Sequence, residues 1–148
     1  MSDTKVVQVF RAMKVILEML EFRGYNVDSY KNYNLESIRH KVEESGEDYL
    51  ESPLNIYTYN EEKDRRCLVV FFITKKFKKQ YASDIMEYVL DEDCPTPIRE
   101  ESQDECVFIS MHPIKDSGLE AITSIHNEFK ISCQLFYIKN LMYNILHH

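Results

Sequence analysis

The sequence predicts a three-layer α/β/α domain around a central mixed sheet, and three features carry that expectation. Apolar residues recur at helical spacing in four segments. Four shorter segments, rich in Val, Ile, Phe and Tyr, read as strands. The elements come in the order helix, helix, strand, strand, helix, strand, helix, strand. Strands separated by helices favour parallel neighbours with right-handed crossovers, and the two consecutive strands add an antiparallel pair. The 148 residues form one domain, 1–148, with no internal repeat and no linker that would split it.

Each element has its own signal. Val6, Phe10, Met13, Leu17 and Leu20 lie four and three residues apart, one stripe of a helix of about five turns. Ser2 or Asp3 can cap its start, and Gly24 stands where a left-handed residue would end it. Residues 25–33, rich in Tyr, Asn and Asp, read as a connection. A shorter helix is expected over 35–44, with Leu35, Ile38 and Val42 as its apolar face, then an acidic surface loop over 43–52. Residues 54–59 alternate with period two. Residues 67–73 are continuously apolar, as a strand covered on both faces requires. The polar link 60–66 joins them as a hairpin. A helix over 78–90 follows, with Tyr81, Ile85 and Val89 at helical spacing. Next comes an acidic loop over 91–104, broken by Pro95 and Pro97. A strand over 106–111 leads to a helix over 118–129, where Ser117-Gly-Leu-Glu120 reads as a capping box. A strand over 131–138 closes the pattern, and 141–146 reads as a further extended piece.

Composition excludes several classes. Hydrophobic residues at 44% and charged residues at 29% are ordinary for a globular chain. The longest apolar run, 67–73, is too short for a membrane span, and the opening Met-Ser-Asp-Thr-Lys lacks the apolar stretch of a secretory signal. Cys67, Cys94, Cys106 and Cys133 are far apart in sequence, which predicts reduced thiols in an intracellular protein. With a net charge of −7, nucleic acid would be met by a local patch and not by the overall field.

The search for chemistry is mostly negative. The chain has no phosphate-loop, dinucleotide or serine-elbow motif, and its three glycines leave little material for a phosphate cradle. No cofactor is expected. Cys67, Cys106 and Cys133 fall on three strands and can approach one another, but zinc sites draw ligand pairs from tight turns, so buried thiols are the simpler reading. His147-His148 is a weak metal ligand pair or a frayed end. A metal-dependent nuclease on a sheet of this kind needs a carboxylate and a lysine two residues apart on the strand after the hairpin. Residues 67–72 offer neither, and Asp64 with Arg65-Arg66 lies in the turn as solvated charge.

Basic residues cluster once. Lys75, Lys76, Lys78 and Lys79 surround Phe77 after the strand that Arg65-Arg66 open. Lysines at a helix start oppose its dipole by roughly 0.3–1 kcal/mol each. That cost points to a partner, a phosphate or an acidic protein surface. A solvated edge that keeps the sheet end from aggregating is the other reading.

Residues 9–25, Val-Phe-Arg-Ala-Met-Lys-Val-Ile-Leu-Glu-Met-Leu-Glu-Phe-Arg-Gly-Tyr, resemble the opening helix of the fifth subunit of eukaryotic-type DNA-directed RNA polymerases. That helix closes on Arg-Gly-Tyr, matched by Arg23-Gly24-Tyr25. Asn144-Ile-Leu-His-His148 is similar to the segment where the family's N-terminal jaw domain meets its C-terminal assembly domain. Val69-Val-Phe-Phe72 takes the place of the central apolar strand, and the resemblance covers nearly the whole chain in order.

The resemblance implies a restriction-endonuclease-like fold lacking the nuclease site. It also implies a non-catalytic jaw module positioned at downstream double-stranded DNA and docking on the largest polymerase subunit. Its place would be the nucleus, or the virion and cytoplasmic factory of a large DNA virus. The module would be a monomer within the larger complex, with weak DNA contacts and no membrane. The family's Thr-Pro-Ser-Ala turn, near DNA, is here Lys115-Asp116-Ser117-Gly118, so only Ser117 is kept, with Lys115 available to a phosphate. The assembly domain would begin after His148, so the chain is expected to be a jaw fragment or a short form that docks differently. Lys75, Lys76, Lys78, Lys79, Lys115 and Ser117 are the expected nucleic-acid contacts. A stand-alone protein-interaction module on the same fold, using the acidic loops 43–51 and 100–105, is the competing expectation.

Overall fold

A computed structural model describes residues 3–142. Helices α1 (Asp3–Phe22) and α2 (Leu35–Ser45) precede the hairpin of β1 (Ile56–Asn60) and β2 (Arg65–Phe72). Then follow α3 (Lys79–Val89), β3 (Glu105–Ser110), α4 (Asp116–Phe129) and β4 (Ser132–Tyr137), with 3-10 turns at Asp28–Tyr30 and Ile138–Met142. The four strands form one open sheet in chain order. β1 runs antiparallel to β2, and β2, β3 and β4 run parallel. This is the predicted mixed sheet with helices on both faces.

Period-two alternation divides β2 and β3 between two cores. Cys67, Val69, Phe71, Val107 and Ile109 face the layer holding α1 and α2. Leu68, Val70, Phe72, Cys106 and Phe108 face the layer holding α3 and α4. Both crossover helices lie on the same face, as connections of one hand require when strands follow in chain order. The same alternation separates the cysteines. Cys106 pairs in register with Cys133, but Cys67 belongs to the opposite core. The three thiols therefore do not meet in one place.

The Arg23-Gly24-Tyr25 signature is a helix-ending device. Gly24 has φ +91°, and its N–H bonds to the Glu21 carbonyl while that of Tyr25 bonds to Leu20, both at 3.0 Å. This pair of bonds satisfies the last carbonyls of α1. Asn60 locks the turn by donating to the Arg23 carbonyl at 3.0 Å, so close that a Cβ on Gly24 would lie 2.6 Å from its Nδ2.

Three expectations need correction. Ser117 does not cap α4: the helix begins one residue earlier, Lys115 occupies the cap position, and no side chain caps it. The capping box belongs to α2, where Asn34 and Ser37 exchange bonds. Leu141 and Met142 lie in a 3-10 turn, not in an extended piece; residues 143–148, which include Asn144 and the two terminal histidines, fall outside the described residues. The acidic stretch 100–105 does not offer all its carboxylates as a recognition surface, because Asp104 and Glu105 are buried.

Asp104 accepts from the backbone N–H groups of Arg66 and Arg99, each at 2.9 Å, and from the Arg99 side chain at 2.9 and 2.7 Å. Burial alone would raise its pKa, but the guanidinium fork and the two N–H donors hold it below the ordinary carboxylate range. Glu105 pairs with Arg23 at 2.9 Å and so ties the end of α1 to the start of β3.

Candidate nucleic-acid interface

Phe72 and Ser110, the last residues of β2 and β3, stand opposite each other in register. The loops that follow therefore leave from one edge of the sheet, the carboxyl edge of the parallel strands, and each leads into a helix start.

Phe77 shapes the first loop. Its ring is buried, lies nearly parallel to Phe108 at 5.0 Å and meets Phe72 edge-on at 5.0 Å. With the central residue of Lys75-Lys-Phe-Lys-Lys79 drawn inward, the lysines are turned toward solvent. Lys76, Lys78 and Lys79 are exposed and Lys75 is half-buried. Gly118 brings in the second loop. A Cβ there would lie 3.3 Å from Leu135 and 3.4 Å from the Phe77 ring, so the first turn of α4 packs closely on the lysine loop.

That approach joins the two halves of the predicted site. The Lys79 N–H donates to Ser117 Oγ at 3.3 Å, which puts the beginnings of α3 and α4 side by side. The accepting oxygen leaves the Ser117 hydroxyl proton available to a ligand. Lys115 and Ser117 are both exposed. All six predicted residues thus lie along one edge. Arg65 and Arg66 lie at the other end of β2, roughly 25 Å away at strand rise. There Arg65 bonds to Gln103 and Arg66 to the Pro97 carbonyl.

The lysines differ in their surroundings. Lys75 Nζ lies 5.9 Å from the centre of the Tyr49 ring and 5.4 Å from that of Tyr81, and Lys78 Nζ lies 5.2 Å from Tyr81. Ring faces attract these ammonium groups and restrain them. Tyr49 bonds to Asp84 at 3.4 Å, and its pKa is pushed up to about 12 by burial first and by that carboxylate second. Ion pairs among the described residues fall on Arg23, Lys31, Arg39, His40 and Arg99, and none on these five lysines. The helix starts add their partial positive charge, and Asp116 and Glu120 in the first turns of α4 subtract from it. Anionic oxygens along a backbone are the ligand such an edge can hold.

The tyrosines are what sequence reasoning missed. Tyr81 follows Lys78 by three residues, a helical neighbour that could have been noticed. Tyr49 approaches from a loop 26 residues before Lys75 and leaves no local signal. Among the described residues, no three His, Cys, Asp or Glu side chains gather as a metal site would require.

The sequence profile described as RNA polymerase Rpb5, N-terminal domain, matches residues 3–89. The chain belongs to the Rpb5 N-terminal domain family. No curated protein matches the chain. The Rpb5 match runs from α1 through α3 and so includes the Arg23-Gly24-Tyr25 turn and the four clustered lysines. Lys115 and Ser117 lie beyond it, at the start of α4. Rpb5 is a subunit of RNA polymerase, and that membership assigns the chain to transcription.

Proposed function

We propose that this chain is the non-catalytic jaw module of a DNA-directed RNA polymerase, docking on the largest subunit and facing the downstream duplex. The observation that carries the reading is the edge formed by two adjoining loops, one bearing Lys75, Lys76, Lys78 and Lys79 and the other Lys115, which the Lys79–Ser117 bond joins. Its spread of separate ammonium groups suits successive phosphates of a duplex better than one small anion. Lys76, Lys79 and Lys115 are the main phosphate contacts. Lys75 and Lys78, restrained on the tyrosine rings, contribute charge at the margin. Contacts with phosphates alone hold DNA without reading its sequence, as a polymerase jaw requires. The module works in the nucleus or in the transcription machinery of a DNA virus.

Affinity purification of the complex from its native source tests the assembly. Large polymerase subunits recovered with the chain support the reading, and their absence contradicts it. Joint replacement of Lys76, Lys79 and Lys115 by Ala is expected to leave subunit recovery unchanged and to reduce the DNA held.

A further inference from the structure

The two edges of the sheet are finished differently. On β1, the Tyr30 hydroxyl accepts from the Tyr57 N–H at 3.0 Å and donates to the Tyr57 carbonyl at 2.9 Å. The Asn26 N–H reaches the Tyr59 carbonyl at 3.2 Å. That edge is closed. β4 pairs with β3 alone, and among the described residues no loop or side chain bonds to its backbone from the other side. Alternate N–H and C=O groups of an edge strand point away from its one neighbour. β4, Ser-Cys-Gln-Leu-Phe-Tyr, carries none of the charges or prolines that usually blunt such an edge.

The surroundings specify what would fit. β3 is buried throughout, whereas β4 is half-buried beyond Ser132. Cys133 and Leu135 belong to the core under α3 and α4, and Phe136 and Tyr137 to the core under α1. A further strand would extend both cores and must be uncharged on both faces. The ends differ: Lys130 and Lys139 are exposed on either side of β4, and neither joins an ion pair among the described residues. Among the described residues, Lys130 Nζ bonds only to the Asn127 carbonyl, at 2.9 Å.

We propose that β4 accepts an extended segment of a partner polypeptide as a fifth strand, uncharged over about six residues and acidic at both ends. A second copy fits poorly. Antiparallel pairing of two β4 strands would bring Lys130 of one copy toward Lys139 of the other, in chains that each carry a net charge of −7. β4 lies outside the span matched to the Rpb5 family, so this site goes beyond the function proposed above.

Amide hydrogen exchange on the full chain tests it, with two synthetic peptides of about ten residues as probes. Both have a core of alternating Val and Thr; one has Glu at both ends, the other Lys. The Glu-ended probe is expected to slow exchange at alternate amides of 133–137 by at least tenfold, and the Lys-ended probe to bind at least tenfold more weakly. Replacing Lys130→Glu and Lys139→Glu together should reverse the preference, with unchanged exchange in β2 and β3 showing that the fold is intact. No protection of β4 by the Glu-ended probe at millimolar concentration overturns the proposal, as does equal protection by both. So does protection of alternate β4 amides in the free chain, whether monomeric or doubling in mass with concentration. The assay contains neither DNA nor polymerase, so its outcome is independent of the proposed jaw role.

Discussion

Asp104 and Gly24 show how single residues hold the ends of elements. Asp104 gathers four N–H donors, and Asp104→Asn would set an amide against the Arg99 fork and lose the charge that the fork neutralises. A loss of about 2–3 kcal/mol is expected in urea unfolding at neutral pH. Because the folded-state pKa is lowered, this contribution is complete above the ordinary carboxylate range and is lost as pH falls through the lowered value. The gap between wild type and Asp104→Asn should therefore be widest above about pH 5 and close in acid. A gap independent of pH would mean that the carboxylate charge is not what matters. Gly24→Ala combines positive φ with a Cβ 2.6 Å from Asn60 Nδ2, and should cost about 1–3 kcal/mol by thermal denaturation. Such residues are only half legible in sequence. Gly24 announced itself at the end of an apolar stripe, but nothing local to Asp104 marked it among the acidic residues of its loop, because its partner fork forms only once 99 and 104 fold together.

Among the elements, those with strong periodicity were legible and those defined by a partner were not. The stripe of α1 and the unbroken run of β2 follow from burying one helix face and two strand faces, which constrains many consecutive residues at once. The cap of α4 depended on where the preceding loop delivered the chain. Close packing of Gly118 on Phe77 started the helix at Asp116 and left Ser117 to bond across to Lys79. Phe77 read as an aromatic among lysines and proves to be the anchor that shapes their loop. Phe77→Ala should cost about 3–5 kcal/mol and weaken DNA binding together with stability. Full stability in a chemical melt would show that the loop is held by something else.

For the whole molecule, the candidate site was legible as a list of residues but not as a place. Two lysine-bearing loops about 40 residues apart meet because β2 and β3 are parallel and adjacent, a pairing that one sequence implies only weakly. The result is an acidic chain with one basic edge. DNA contact through that edge is reported directly by salt dependence. The measurement is the affinity of the chain for a short duplex across a range of salt, compared with the triple variant Lys76→Ala, Lys79→Ala and Lys115→Ala. Each phosphate contact contributes about 0.9 to the slope of log affinity against log salt. The variant is expected to show a slope shallower by about 2–3, with binding weakened for every duplex sequence. An unchanged affinity and slope would contradict DNA contact through that edge.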